Sequence, residues 1–263
     1  MKLNRTLTLA FLALFAVSGL QAQSLSPDTK TRWDKGTLVV ESPVRPEGQQ
    51  HVVGLTAPKM KTVRVAFVGL GMRGPGAVSR FTYIPGVEIV ALCDYEAKRA
   101  EKCQKYLREA GLAPAAIYSG AKGYEELCKR DDIDLVYVAT PHSRHYEDMK
   151  LCIAAGKNVL CEKPLATTME QLHAVLAAEE ASTAQLGVCQ QNRFEPRMLW
   201  LMDYIKEHGV KSGLGIVSWK RDAKYYASGA WRGKIIEEGG GVMINQALHT
   251  LDLLQHLCGM PTH

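Results

Sequence analysis

From Lys61 onward, short apolar runs alternate with segments whose apolar residues recur at helical spacing. Short runs of apolar, often β-branched residues indicate strands buried on both faces, and the longer segments between them indicate helices. The predicted strands cover residues 63–68, 87–93, 116–118, 134–139, 157–161 and 185–189. The predicted helices cover residues 75–81, 96–110, 123–129, 145–155 and 169–181. This alternation predicts an α/β fold with a doubly wound parallel sheet.

The pattern changes after Gln191. Residues 195–208 have helical spacing, residues 213–222 resemble a strand, and residues 239–258 read as one helix that begins in three glycines. We interpret residues 191–263 as the start of a C-terminal substrate or catalytic domain.

The first sixty residues carry two further patterns. Lys2 and Arg5 precede an apolar stretch over residues 7–20, and small residues lead to a candidate cleavage point after Ala22. This is typical of a signal peptide over residues 1–22, with an uncleaved anchor as the alternative. Residues 23–60 are rich in Pro, Gly, Ser, Gln and charge, which predicts a mobile or surface-wrapped arm. We expect an exported protein in the bacterial periplasm, without a membrane span once the signal is removed.

Composition narrows the class of protein. The chain has 263 residues, of which 46% are hydrophobic and 22% charged, as in ordinary globular proteins. Its net charge of +5 is too small and too scattered to indicate a nucleic-acid partner. The seven cysteines form no C-x-x-C pair and no metal-ligand spacing with histidine, so we expect neither a structural metal nor a disulfide framework. Free cysteines fit poorly with an oxidising compartment, and this conflict stays open.

The most informative motif follows the first of the alternating strands. Its glycines have the spacing G-x-G-x-x-G, and the candidate cofactor contacts here are Gly69, Gly71, Met72, Arg73 and Gly74. Such glycines permit a tight turn, a close approach of backbone to a pyrophosphate, and close packing of the next helix. Asp94 ends the second strand, 20 residues after the last glycine, where a carboxylate would bind an adenosine ribose. A glycine turn in another α/β domain is the alternative. We interpret residues 61–190 as an NAD(P)-binding Rossmann domain.

Polar residues at the ends of the later strands add candidate cofactor contacts, because ligands of such sheets bind at the carboxyl ends of the strands. They are Thr140, Pro141, His142, His145, Glu162, Lys163 and Asn192. A partly desolvated Lys163 beside a cationic nicotinamide would have a lowered pKa and serve as a proton shuttle. A solvated lysine at a strand end is the alternative. Helix caps or surface loops explain the segments after Ala139 and Cys189 about as well.

The last predicted helix carries one narrow polar seam. Asn245, His249, Asp252 and His256 fall within about 60° of one another on a helical projection, and most other positions are apolar. The exposed stripe of an amphipathic helix is the alternative, although such stripes usually carry Lys and Glu. These residue types bind polyols and transfer protons, so we interpret the seam as functional. Further candidate substrate contacts are Asp252 and, in the loop before this helix, Tyr225, Trp231 and Arg232. Ordinary packing is the alternative for these loop residues.

These motifs together resemble the Gfo/Idh/MocA oxidoreductases. The matching elements are Gly69-x-Gly71-x-x-Gly74, Thr140-Pro141-x-x-x-His145, Glu162-Lys163-Pro164, and Gly239-Gly240-Gly241 followed by Asn245-x-x-x-His249. The resemblance implies an NAD(P)-binding Rossmann domain followed by an α/β domain with an open, mainly antiparallel sheet. It implies Lys163 and His249 as proton-transfer residues, with Asn245 positioning the substrate. Asp94 favours NAD over NADP, although Lys98 and Arg99 suit a 2′-phosphate.

Residues 57–78 especially resemble glycoside hydrolase family 109, whose exported members use tightly held NAD to cleave α-N-acetylgalactosaminides. That family carries a tryptophan-containing loop where this chain has Pro141-His142, and Glu-Val-Pro where it has Glu162-Lys163-Pro164. The second half therefore looks like a dehydrogenase. Relatives continue well beyond this length, so we expect a C-terminally truncated chain whose second domain is incomplete. Relatives also often associate through the open sheet, so a longer form would be a candidate homo-oligomer.

The leading hypothesis is an NAD(P)-dependent oxidoreductase that transfers a hydride between the nicotinamide and a hydroxyl-bearing carbon of a sugar, amino sugar or cyclitol. The first alternative is an NAD-dependent glycoside hydrolase that works by redox-neutral elimination. The second is a non-catalytic protein that binds NAD or a sugar.

Overall fold

The computed structural model describes residues 30–41 and 59–259 of the chain. Residues 54–259 belong to one compact unit, and residues 30–41 belong to a second. The predicted signal peptide over residues 1–22 lies outside the described residues. In these two ranges, no helix combines the length and the apolar character that a bilayer crossing requires.

Residues 30–41 form an antiparallel hairpin of strands β1 (Lys30–Asp34) and β2 (Thr37–Glu41). Lys35 and Gly36 make its two-residue loop, with φ angles of 47° and 83°. A loop with two positive φ angles matches the twist of paired strands, and it favours a hairpin even where the strands lack a strict alternating pattern. The mobile or surface-wrapped arm predicted over residues 23–60 thus contains a hairpin over residues 30–41, which the sequence pattern did not predict.

The larger unit is built on a six-stranded parallel sheet. Its strands are β3 (Val63–Val68), β4 (Val87–Asp94), β5 (Ala116–Ser119), β6 (Leu135–Val138), β7 (Asn158–Cys161) and β8 (Leu186–Val188). The order across the sheet is β5-β4-β3-β6-β7-β8, so the chain builds outward from β3 in one direction and then returns to build in the other. The predicted doubly wound parallel sheet is confirmed. The order in which the chain adds strands reverses between β3 and β6, although the strands themselves stay parallel. Such sheets open a crevice for ligands at this switch point.

Helices join the strands and continue after the sheet. The joining helices are α1 (Gly74–Phe81), α2 (Ala97–Glu109), α3 (Gly123–Cys128), α4 (His142–Ala154) and α5 (Met169–Glu180). After β8 come a 3₁₀ turn (Gln191–Phe194) and the helices α6 (Pro196–His208), α7 (Ala223–Ala227), α8 (Ile235–Glu238), α9 (Val242–Asn245) and α10 (Leu248–Cys258). Helix α4 begins directly after Pro141, three residues earlier than predicted.

The central strands read as continuous apolar runs because both of their faces are covered. In β3, Val65 and Phe67 belong to one buried cluster, whereas Ala66 and Val68 belong to the other. Successive side chains of a strand point to opposite faces, so two clusters along one strand mean a layer of helices on each side of the sheet. The seven cysteines are all unpaired, and five of them are buried.

Residues 213–222 do not form the predicted strand. A strand is stable only when neighbouring strands pair with its backbone, and within 59–259 no strand lies beside this segment. It lies against α10 instead, so closely that a Cβ on Gly215 would be 2.6 Å from Thr250 Cγ2. The mainly antiparallel second sheet expected from the resemblance is thus absent from the described residues, where helices and loops follow β8.

The single helix predicted over residues 239–258 is divided into α9 and α10. Gly239 does not begin it, because its φ of 81° makes it the left-handed cap that ends α8. The amide of Ala247 donates to the oxygen of Val242, five residues earlier, at 2.8 Å. This bond interrupts the i to i−4 ladder between α9 and α10.

Candidate functional site

The glycine turn after β3 packs tightly against backbone on the side of the sheet and is open on the side of the solvent. Gly69 has a φ of +86°, and a Cβ there would lie 2.5 Å from the amide nitrogen of Thr140. A Cβ on Gly74 would lie 2.1 Å from the carbonyl oxygen of Gly69. At Gly71 a Cβ would meet only the tip of Arg99, at 3.4 Å. The turn therefore offers bare backbone to the space above it, as a pyrophosphate site requires.

Asp94, at the end of β4, braces this turn. One carboxylate oxygen accepts a 2.7 Å hydrogen bond from the amide of Leu70, and the other accepts a 3.0 Å bond from the amide of Glu96. A carboxylate has about four acceptor positions, so the buried Asp94 retains capacity for a ribose. Arg99 donates to Glu96 at 2.6 Å and lies 3.9 Å from Asp94.

A cavity of about 1110 Å³ lies over the carboxyl ends of the strands. The predicted cofactor contacts that line it are Gly69, Gly71, Met72, Arg73, Asp94, Thr140, Pro141, His142, His145, Glu162, Lys163 and Asn192. The predicted catalytic and substrate residues that line it are Asn245, His249, Tyr225, Trp231 and Arg232. Two predicted residues are not among the lining, namely Gly74, which packs beneath the turn, and Asp252.

Glu162 is held as a carboxylate inside this cavity. Its Oε1 atom accepts hydrogen bonds from Arg73 Nε at 2.8 Å and from the Tyr137 hydroxyl at 2.7 Å. Burial by itself raises the pKa of Glu162, but these two donors outweigh it and keep the pKa below its usual value. The site therefore holds one fixed negative charge next to Lys163.

Lys163 connects the sheet to α9. Its Nζ atom donates a 2.7 Å hydrogen bond to the main-chain oxygen of Asn245 and lies 3.4 Å from Oδ1 of the same residue. Desolvation lowers the pKa of Lys163, and the positive charges of Arg73 and Arg232 lower it further, although Glu162 partly offsets them. The peptide between Lys163 and Pro164 is cis.

Asn245 and Asp252 of the predicted polar seam are buried and His249 and His256 are half-buried, but only part of the seam faces the cavity. His249 Nδ1 lies 3.0 Å from Gln190 Oε1, and desolvation followed by the charge of Lys163 lowers the His249 pKa. Asp252 instead forms a bidentate ion pair with Arg193, and both side chains are largely buried. We predicted a substrate contact for Asp252, but its carboxylate is committed to this ion pair.

Aromatic and guanidinium groups line the end of the cavity formed by residues 219–232. Arg232 donates a 2.6 Å hydrogen bond to the Tyr225 hydroxyl, and its guanidinium lies over the rings of Tyr225 and Trp231 at 4.4 and 4.5 Å. The His142 ring packs against Trp231 with centroids 4.8 Å apart. Burial lowers the pKa of His142 to about 4, so this imidazole is neutral at pH 7.

His145 ties two strand-end loops together rather than offering a free nitrogen. Its Nδ1 atom lies 2.7 Å from the carbonyl oxygen of Pro164, and its Nε2 atom lies 2.8 Å from that of Thr140. Thr140 in turn donates from its hydroxyl to the Asp148 carboxylate at 2.6 Å. His145 therefore contributes to the shape of the cavity wall.

Two residues of the site went unnoticed in the sequence. Glu238 accepts a 2.7 Å hydrogen bond from Asn245 Nδ2 and a 2.9 Å bond from the amide of Gly233. Its position beside a second glutamate is typical of an exposed charge, and only its place before the glycine run distinguishes it. Gln190 lies in the segment after Cys189, and no local pattern signals its contact with His249.

Comparisons with known proteins agree with this geometry. Residues 63–190 match a family model described as Gfo/Idh/MocA, oxidoreductase family, NAD-binding Rossmann fold. The chain is 62% identical over 180 residues to glycosyl hydrolase family 109 protein 3 of Phocaeicola vulgatus, covering 68% of this chain and 33% of that protein. It is 45% identical over 170 residues to glycosyl hydrolase family 109 protein 1 of Bacteroides thetaiotaomicron, covering 63% of this chain and 36% of that protein. The chain thus spans about a third of these curated relatives.

Among solved structures, the fold is similar to the WlbA dehydrogenase of Chromobacterium violaceum in complex with NADH and UDP-GlcNAcA. The TM-score is 0.62 at 27% identity, and the match covers 78% of this chain and 58% of that one. An NAD-binding protein from Listeria innocua matches with a TM-score of 0.57 at 26% identity, covering 75% of this chain and 55% of that one.

Proposed function

We propose that this chain oxidises or reduces a hydroxyl-bearing carbon of a sugar, amino sugar or cyclitol. The proposal proceeds from the finding that residues 63–190 form an NAD-binding Rossmann domain of the Gfo/Idh/MocA oxidoreductase family. The observation that carries the proposal is the 2.7 Å hydrogen bond from Lys163 Nζ to the main-chain oxygen of Asn245, whose side-chain Oδ1 lies 3.4 Å from the same nitrogen. It brings a lysine at the carboxyl end of β7 and an amide on α9 to one point of the cavity.

The residues present fit NAD. The backbone of Gly71 is open to the cavity, Asp94 is in place for a ribose, and Arg99 is engaged with Glu96. An arginine with a carboxylate partner is less available to a 2′-phosphate, which supports NAD over NADP. When bound, NAD would supply the acceptor or donor of a hydride.

The chain itself would bind and orient the carbohydrate and move a proton. Lys163 and His249 line the same cavity. The lowered pKa of Lys163 makes its ammonium a better proton donor, and the lowered pKa of His249 keeps its imidazole neutral and able to accept a proton. Flat aromatic faces and fixed hydrogen-bond donors recognise sugars, and Tyr225, Trp231 and Arg232 supply both.

The first test is to purify the protein, identify any bound dinucleotide by mass and fluorescence, and offer free sugars and polyols with NAD. We expect a bound NAD and the formation of NADH with at least one of these substrates. If the protein binds NAD but neither Lys163→Ala nor His249→Ala changes turnover, these two residues have no catalytic role. Binding of NAD without turnover of any substrate would favour a non-catalytic binding protein.

Redox-neutral cleavage of a glycoside is a second candidate, favoured by the 62% identity to a glycosyl hydrolase family 109 protein. Lys163 argues for the dehydrogenase, because the resemblance to that family implies a valine at this position. The two activities separate in one assay with an α-N-acetylgalactosaminide that has a chromogenic leaving group. Release of the leaving group without net formation of NADH would overturn the dehydrogenase proposal.

Export to a periplasm is also part of the proposal. Lys2, Arg5 and the apolar residues that follow support it. Expression of the chain in a Gram-negative host, with fractionation and N-terminal sequencing, tests it. We expect a periplasmic product that begins at Gln23.

A further inference from the structure

Gln190 and His249 meet at the edge of the cavity although they are 59 positions apart in the sequence. Gln190 follows β8 and His249 is the second residue of α10. His249 lines the cavity, whereas Gln190 does not, so Gln190 would act through the histidine. An amide oxygen only accepts hydrogen bonds, so the 3.0 Å contact between Gln190 Oε1 and His249 Nδ1 requires a hydrogen on Nδ1.

The charges around His249 favour the neutral imidazole. Lys163 and Arg73 are the cations that act on it, and Glu162 and Asp252 are the anions. Each anion already has a cation of its own, because Glu162 accepts from Arg73 and Asp252 is paired with Arg193. A neutral imidazole carries one N–H hydrogen, and if that hydrogen is on Nδ1, then Nε2 presents a lone pair.

We infer that Gln190 is a positioning residue that holds His249 as the Nδ1–H tautomer, so that Nε2 is the proton acceptor of the site. The inference deepens the proposed function and rests on it for the role of the lone pair. It also separates the roles of the two candidate bases. Lys163 Nζ already donates a 2.7 Å hydrogen bond to the Asn245 carbonyl oxygen, so we assign Lys163 the role of a hydrogen-bond donor in the site. His249 Nε2 would take the hydroxyl proton as the carbon–hydrogen bond breaks and the hydride leaves to NAD.

An amide is the residue type that suits this task. A carboxylate at position 190 would also accept from Nδ1, but its charge would stabilise the imidazolium and raise the His249 pKa. A leucine of similar size would leave Nδ1 without an acceptor. Gln190→Leu and Gln190→Glu therefore act in different ways on the same nitrogen.

The deciding experiment is nitrogen NMR of the full chain with ¹⁵N-labelled histidine at pH 7.5. The chain has eight histidines, so the His249 signals are assigned by their loss in His249→Asn. We expect a protonated Nδ1 and an unprotonated Nε2 in the unaltered chain, a shift towards Nε2–H in Gln190→Leu, and a raised His249 pKa in Gln190→Glu. Gln185→Leu, an exposed position just before β8, is the matched control and should leave the signals unchanged. An Nε2–H tautomer in the unaltered chain, or an unchanged tautomer in Gln190→Leu, would overturn the inference.

The NMR experiment determines the tautomer without any turnover. Failure of this inference can therefore be distinguished from failure of the proposed function. In the active protein, general acid–base catalysis contributes about 10²–10⁴-fold, so Gln190→Leu should lower kcat by about tenfold or more and leave KM nearly unchanged. In Gln190→Glu the lower limb of the kcat–pH profile should move to higher pH. If the Gln190 variants change only KM, and kcat and its pH profile stay the same, the assignment of Nε2 as the proton acceptor is contradicted.

Discussion

Glu238 Oε1 accepts a 2.7 Å hydrogen bond from Asn245 Nδ2, and both side chains are buried. The same oxygen lies 3.8 Å from Arg232, whose side chain is only 7% exposed. One carboxylate thus fixes the amide that Lys163 contacts and neutralises the cation stacked on Tyr225. The end of the cavity lined by Tyr225 and Arg232 depends on this internal charge.

Replacing Glu238 should therefore destabilise the fold. Glu238→Leu leaves the buried Arg232 without its anion, and loss of one partner of a buried ion pair costs about 3–5 kcal/mol. Glu238→Gln should cost less, because its amide oxygen can still accept from Asn245. Urea denaturation measures the free energy of unfolding. Glu126→Gln, which removes an exposed pair with Lys129, is the control and should cost under about 1 kcal/mol.

The glycine turn predicts a contrast between two alanine substitutions in α1. Gly74→Ala places a Cβ 2.1 Å from the Gly69 oxygen, so the turn must shift and NADH should bind at least about tenfold more weakly, or about 1.4 kcal/mol. Gly76→Ala meets only the flexible end of Arg80, at 3.3 Å, and should stabilise the helix by about 0.5–1 kcal/mol. NADH fluorescence titration and thermal unfolding measure both effects. Equal NADH affinity in the two variants would argue against a cofactor at this turn.

Asp252 should matter for stability and not for substrate affinity. Asp252→Asn leaves the mostly buried Arg193 without an anion, which should cost about 3 kcal/mol or more. If the variant remains folded, its KM should match that of the unaltered chain. Asp203→Asn breaks the exposed pair with Lys206 and should change the free energy of unfolding by less than about 0.5 kcal/mol. A raised KM with unchanged stability in Asp252→Asn would restore its assignment as a substrate contact.

The stability of the chain should fall in mild acid, in part because of His142. Its pKa is lowered by burial to about 4 from 6.5, so between these values the unfolded chain binds a proton that the folded chain does not. The free energy of unfolding therefore rises with pH through this window and loses up to about 3 kcal/mol from this group as pH falls from 6.5 to 4. Urea midpoints from pH 4 to 7.5 should be flatter in His142→Asn. His145 and His249 act in the same direction, and the difference between the two curves isolates His142.

The sheet could be predicted because its central strands are largely apolar on both faces, and that property is local. The run from Val63 to Val68 and the glycines after it identify the strand, the turn and the cofactor edge together. Position at a strand end also brought Lys163 and Glu162 to the cavity, since parallel strands share one carboxyl edge.

The region after β8 was harder to predict because its structure depends on partners and on single bonds. Residues 213–222 have strand-like composition, but a strand also needs a neighbour, and the local pattern does not report one. The division of α9 from α10 follows from one amide of Ala247 that bonds back to Val242. Glu238 contacts Asn245 on a different helix, and Gln190 contacts His249, which is 59 positions away. Neither pair lies within one helix or strand, so the periodicity of the sequence does not predict these contacts.

The contact of Gly69 with Thr140 has a consequence for how this cavity can diversify. Gly69 has no side chain, and a Cβ there would lie 2.5 Å from the amide nitrogen of Thr140, so substitution cannot enlarge or charge this point of the cavity. New ligand preferences must then arise at side chains that line the cavity, such as Tyr225, Trp231 and Arg232. Among chains that share the contact of Gly69 with Thr140, differences in the bound ligand should therefore correlate with the residues at positions 225, 231 and 232, while Gly69 stays unchanged.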